Sequence, residues 1–202
     1  VPYQTLVERM ADAVRQMLEN AGMTLEQCGG IGIGSPGTID AKQGVILYSN
    51  NFGWENVPIV EELKKHLDTR IEIANDADAA ALGEVCAGAA EGAENAVLLT
   101  LGTGVGSGVI LDKKIFRGAM PGGCELGHLS IRYDGIRCTC GRKGCLEAYA
   151  SASALLRIAR EKAAEHPESI MNEMCGNDLE QMNGKIPFDA AKAGDEAGME
   201  TV

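Results

Sequence analysis

Between His128 and Cys145 the chain offers one imidazole and three thiols, at His128, Cys138, Cys140 and Cys145. One nitrogen and three sulfurs are the complement that a closed, tetrahedral structural Zn²⁺ takes. Gly141 and Gly144 stand between the last two thiols, where a loop turning tightly around an ion needs residues without a Cβ penalty. Other readings of the same residues exist. A C-x-C pair and a third thiol also admit a disulfide or plain reduced cysteines, and a single histidine is usually an ordinary surface or core residue. The clustering and the polar, glycine-rich setting favour the metal.

A second constellation is Asn75-Asp76, which follows a strand pattern and precedes an alanine-rich helical one. In an open α/β sheet that junction is where ligands bind. An Asp there can accept a proton from a substrate hydroxyl while the Asn amide grips another, which is the side-chain base that phosphoryl transfer needs. The same pair also makes a good helix N-cap, and taken alone it favours that reading. The stretch LGTGVGSG, with Gly102, Thr103 and Gly104 at its centre, is either a tight hairpin tip or a backbone cradle for phosphate. It is neither a P-loop nor a dinucleotide fingerprint, because no G-K-[ST] follows and Gly108 leads into Val109-Ile110-Leu111 rather than into a helix. Glu125 and Glu147 flank the thiol-rich loop. Surface carboxylates are the default there, yet carboxylates beside a metal-stiffened loop also suit polyhydroxyl recognition, because each oxygen accepts from two hydroxyls.

The elements that must carry these groups follow from periodicity. Leu6, Val7, Met10, Ala13, Val14, Met17 and Leu18 recur at three and four, predicting a helix over 3–20 that Gly22 ends. Strands are expected at 30–35, 45–48 and 71–74, with a loop around the single Trp and a helix starting at Pro58. The alanine-rich helix runs to about Gly88. Ala96 to Leu101 and Ser107 to Leu111 read as a hairpin, and 146–165 as one helix ended by His166-Pro167. Residues 168–188 are weakly periodic, and Asp189 is a candidate cap for a last helix. Helices alternating with strands argue for an α/β sheet with crossover helices.

Composition narrows the classes. The chain has 202 residues, 45% hydrophobic and 23% charged, and no apolar run approaches a bilayer span. Eighteen basic against 29 acidic residues give a net charge of −11, which repels nucleic acid. Seven cysteines and no signal-peptide pattern predict reduced thiols in the cytoplasm. The absence of an initiator Met and the helix-like C-terminal residues lead to the expectation that the chain is a fragment.

Together these residues resemble the ROK family, the sugar kinases and sugar-responsive repressors of the actin-like ATPase superfamily. Its two signatures, E-x-G-H and C-x-C-G-x-x-G-C-x-E, are similar to Glu125-Leu126-Gly127-His128 and to CTCGRKGCLE from Cys138 to Glu147. Asn75-Asp76, LGTGVGSG and the SPGTID loop from Ser35 are similar too, and YSNNFGWENVP looks most like the glucokinase branch. Thr139 departs from the pattern, where the family often has glycine. The resemblance implies an α/β, actin-like ATPase (ribonuclease H-like) two-lobed fold, incomplete at both ends, with a zinc-stabilised loop. Residues 1–75 would belong to the small lobe with a sugar loop, and 76–202 to the large lobe with a phosphate loop and the zinc loop, each lobe being partial. It implies ATP-dependent phosphorylation of a hexose, glucose first, with Asp76 as general base. Gly37, Thr38, Asn50, Asn75, Glu125, His128 and Glu147 would meet sugar hydroxyls, and Gly102, Thr103 and Gly104 the ATP phosphates. Zn would be structural, ATP and Mg co-substrates, and the intact protein a homodimer without nucleic-acid or membrane partners. A sugar-responsive repressor, a kinase for N-acetylmannosamine or fructose, and a sugar-binding module without a reaction are the alternatives. With one phosphate loop of an expected pair, these 202 residues alone are expected to be inactive and poorly soluble.

Overall fold

The computed structural model describes residues 2–120, 122 and 124–202. By compactness the chain divides into Val1–Leu98 with Ser107–Cys124, and Leu99–Gly106 with Glu125–Val202.

In that unit the helical period gives α1 (Tyr3–Ala21), which buries Val7 and Ala11. Ala13 and Met17 of the predicted stripe are exposed, because the buried face turns through 7, 11 and 14 at 3.6 residues per turn. Gly22 at φ 64° closes the helix, and the Met23 N–H reaches the Leu18 carbonyl at 2.9 Å. A 3-10 turn, Leu25–Gln27, then leads into strand β1 (Ile31–Ser35). A three-stranded antiparallel sheet follows, β2 (Thr38–Asp40), β3 (Val45–Ser49) and β4 (Trp54–Val57), and then α2 (Ile59–Lys64) and β5 (Ile71–Asn75). β2 and β4 are too short to show alternation in the sequence, so the expected loop around Trp54 is in fact a strand with Trp54 and Val57 buried. β1 and β5 pair in parallel, from Ile31 opposite Ile71 to Ser35 opposite Asn75. Ile39, Ile46, Trp54, Val57, Leu63, Ile71 and Ile73 join Val7 in one core.

The alanine-rich helix α3 (Asp76–Ala87) leaves the end of β5 directly. Strands β6 (Ala96–Leu101), β7 (Val105–Leu111) and β8 (Lys114–Ile115) form a sheet in that order. Gly108 of β7 lets α3 approach, since a Cβ there would lie 2.6 Å from the Ala77 carbonyl oxygen.

The second unit is mostly helical. The single helix expected over 146–165 is two, α4 (Glu147–Ala150) and α5 (Ala152–Glu165). Ser151 breaks them in extended conformation, its Oγ accepting the Ala154 N–H at 3.0 Å as a new cap. α6 (Ile170–Met174), α7 (Ile186–Lys192) and α8 (Glu196–Thr201) follow. Asp189, expected to cap the last helix, lies inside α7, and Asp195 caps α8. Short helices of this kind lack the two turns needed to show a period. Their core is built largely on small and flexible side chains, Ala159, Ala163, Met171, Ala190 and Ala197, packed with Ile186, and the alanines allow close helix contact. Among the described residues no helix is long and apolar enough to cross a membrane.

Asp195 serves two helix starts at once. One carboxylate oxygen accepts from the Gly198 N–H at 2.7 Å and the Ser169 hydroxyl at 2.9 Å, and the other from the Ile170 N–H at 3.0 Å. Burial opposes its charge, but the Gly198 and Ile170 amides and the Ser169 hydroxyl outweigh it, so its pKa lies below the usual Asp value. Asp195→Ala is expected to lower unfolding stability by roughly 1–3 kcal/mol at pH 7. A depressed carboxylate stabilises above its unfolded pKa of about 3.9 and ceases to as pH falls through the folded value. Urea unfolding at pH 7 and pH 3 should therefore show the gap between wild type and variant closing in acid.

Candidate functional site

In the first unit Asn75 and Asp76 sit where β5 becomes α3. The Asn75 side-chain oxygen accepts from the Ala77 N–H at 2.9 Å and the Asp78 N–H at 3.2 Å, so the capping role open in the sequence is filled. Its amide nitrogen donates to the Gly37 carbonyl at 3.1 Å. One side chain thus fixes both the helix start and the loop that carries Gly37 and Thr38. Gly37 is at φ +110° and packs on β3, where a Cβ would collide with the Tyr48 carbonyl oxygen. Asp76 is exposed at the head of α3, its Oδ1 accepting the Ala77 N–H at 2.9 Å. Asn50 is exposed, with Oδ1 3.4 Å from the Tyr48 hydroxyl that donates to it. Sequence reasoning missed the ion pair between Arg117 and the buried Asp78, 2.9 Å apart, because partners 39 residues apart leave no local signal.

In the second unit the tip Gly102–Gly104 is held from α5, with the Ala152 N–H on the Gly102 carbonyl at 2.8 Å and the Ser153 hydroxyl on the Thr103 carbonyl at 2.8 Å. The Val105 N–H donates to Glu147 Oε2 at 3.1 Å. Gly102 and Thr103 are exposed. Glu125 is exposed, at the start of the 3-10 turn Leu126–His128 that positions His128.

His128, Cys138, Cys140 and Cys145 bring their ligand atoms within 4.8 Å of one another. His128 Nδ1 is 3.6 Å from Cys138 Sγ, and Cys140 Sγ is 3.7 Å from Cys145 Sγ. A tetrahedral ion bonded at about 2.3 Å to sulfur and about 2.05 Å to nitrogen would set those edges at about 3.8 Å for S···S and about 3.6 Å for N···S, so the donor set fits zinc. Cys138, Cys140 and Cys145 are thiols and not disulfide partners of one another, which leaves the disulfide reading without support. The loop's own backbone prepares the cluster. Ile131 and Gly144 donate to the Gly144 and Ile136 carbonyls at 2.8 Å each, and Cys138 to the Arg142 carbonyl at 2.8 Å. The Tyr149 hydroxyl, unmarked in the sequence, accepts the Ile136 N–H at 2.8 Å. The Arg142 backbone N–H, opposed by burial and aided by its guanidinium, lowers the Cys140 thiol to about 6, whereas burial and the neighbouring thiols raise Cys145 to about 11. Bound cation would hold both as thiolates.

The ROK family signature matches residues 1–202. The glucokinase of Thermotoga maritima is 38% identical over 193 residues, covering 95% of this chain and 59% of the relative. The xylose repressor of Caldicellulosiruptor bescii is 35% identical over 158 residues, covering 78% of this chain and 40% of the repressor. The crystal structure of a Streptomyces griseus ROK glucokinase with glucose and AMPPNP superposes with a TM-score of 0.77 at 32% identity, over 96% of this chain and 62% of that one. The fold is that of the actin-like ATPases, mixed α/β with a Cys3His cluster. The chain belongs to the ROK family. It spans about 59% of the Thermotoga maritima glucokinase it matches.

Gly37→Ala puts a side chain at a left-handed φ and against the Tyr48 carbonyl. Backbone strain alone should destabilise the protein by roughly 1–3 kcal/mol, read as a lowered midpoint in thermal or urea unfolding.

Proposed function

We propose that this chain belongs to an ATP-dependent hexose kinase that makes glucose 6-phosphate from glucose. The observation that carries the reading is Asp76, an exposed carboxylate at the carboxyl end of a parallel strand and the head of a helix, next to an Asn that locks the Gly37 loop. In this mechanism Asp76 takes the proton of the sugar's 6-hydroxyl as that oxygen attacks the γ-phosphorus, and the bond to the ADP oxygen breaks. Little more is required of a side-chain base, because positioning and charge neutralisation supply most of the catalysis. Gly37, Thr38, Asn50 and Asn75, and Glu125, His128 and Glu147, are the sugar contacts in this reading. The Gly102–Gly104 tip, exposed at Gly102 and Thr103, meets phosphate, and Mg accompanies ATP. Zinc at His128, Cys138, Cys140 and Cys145 orders the loop that bears the second set. Residues 1–75 and 76–202 then belong to the small and large lobes.

The 38% identity to a glucokinase supports glucose over other sugars, and the retained Asp76 and the charge of −11 support a kinase over a DNA-binding repressor. The repressor reading has its own support in the xylose repressor of Caldicellulosiruptor bescii at 35% identity.

In the whole protein, Asp76→Asn is expected to lower turnover in a coupled glucose and MgATP assay by on the order of 10²-fold or more, with glucose binding retained. Loss of glucose binding to the same extent would make Asp76 a positioning residue. Metal analysis should find one zinc per chain, and Cys145→Ser should lose it together with thermal stability.

A further inference from the structure

The segment from Glu147 to Ser153 touches the metal loop on one side and the glycine-rich tip on the other, and a single carboxylate joins them. Glu147 Oε2 accepts the Val105 N–H at 3.1 Å, and Oε1 accepts the Thr139 hydroxyl at 3.2 Å. The Cys138 thiol also reaches Oε1 at 3.5 Å. As a metal ligand Cys138 would be a thiolate with no proton to give, so Thr139 and Val105 are the donors that hold the carboxylate in both states. Gly104 leaves the room for this arrangement, because a Cβ there would collide with Glu147 Oε2.

We propose that Thr139 and Glu147 form a strut that sets the position of the Gly102–Val105 turn, which makes Thr139 a positioning residue for the nucleotide side of the reaction. The effect on nucleotide rests on the kinase reading above, whereas the strut itself does not. A Val105 amide bonded to a fixed carboxylate cannot swing outward. The tip amides ahead of it are then held in one arrangement, and the cost of ordering them on phosphate is met before binding. Each carboxylate oxygen retains a second acceptor position, so Glu147 can still take a sugar hydroxyl while holding the turn.

Thr139 is exposed, so its replacement does not disturb the core. In the whole protein, Thr139→Val removes the hydroxyl at nearly constant shape, and Thr139→Ser keeps it. Amide hydrogen exchange at Val105 is expected to quicken about tenfold in Thr139→Val, the equivalent of one lost hydrogen bond, and to stay near wild type in Thr139→Ser, with zinc content equal in all three. Steady-state kinetics should show the KM for MgATP raised about fivefold to tenfold in Thr139→Val, the KM for glucose within twofold, and both restored in Thr139→Ser. Unchanged exchange at Val105 in Thr139→Val would overturn the strut. Quickened exchange with equal rises in both KM values would overturn its assignment to the nucleotide side. A wild-type protein that turns over no hexose would sink the kinase reading and leave the exchange result to decide the strut by itself.

Discussion

A loop with no core of its own has to be ordered by something other than burial, and the stretch from Leu129 to Cys145 is such a loop. Leu129, Ile131, Tyr133 and Ile136 are all exposed, so the residues that would anchor a buried hairpin face solvent instead. What remains is a lattice of short backbone bonds and four ligand atoms within 4.8 Å. Three thiols that close disfavour one another's ionisation, and burial together with the neighbouring thiols raises Cys145 to about 11. A cation bound there would turn that repulsion into the main attraction in the loop, and because unfolded chain has no such site, its binding free energy would be folding free energy.

Order then passes outward through hydrogen bonds rather than packing. Tyr149 ties α4 to the loop backbone at Ile136, Glu147 ties the same helix to Thr139 and Val105, and the start of α5 holds the Gly102 and Thr103 carbonyls. Ser151 makes this possible. By breaking the helix between α4 and α5 it lets one short element face the loop while the next presents its N-terminus to the tip.

The features legible in the sequence were those with a period or a ligand spacing. α1, β1, β5 and α3 fall within a residue or so of where apolar recurrence and glycine stops put them, and the Cys3His cluster was readable because C-x-C and its flanking glycines lie close along the chain. Short elements were not: β2, β4 and α6 to α8 have too few residues to show a period, and a Ser with a cap role looks like any other polar residue inside a helical run. Side-chain bonds across long separations were equally silent. Nothing in ND at a strand end says that the Asn amide will reach a carbonyl 38 residues earlier.

That bond matters for how the head of α3 can work. Asn75 fills the cap with its oxygen and commits its nitrogen to Gly37, and of the two acidic residues that follow, Asp76 shares the Ala77 N–H while Asp78 is left out of the cap. Asp78 turns inward and is neutralised by Arg117 at 2.9 Å, a pairing that a buried carboxylate needs. Asp76 stays outside. It lies at the positive end of the helix, where a carboxylate is well placed, and Asp78 is already matched by a guanidinium. The neighbour of Asp76, Asn75, pins the Gly37 loop, so this carboxylate stands beside backbone that is held in one place.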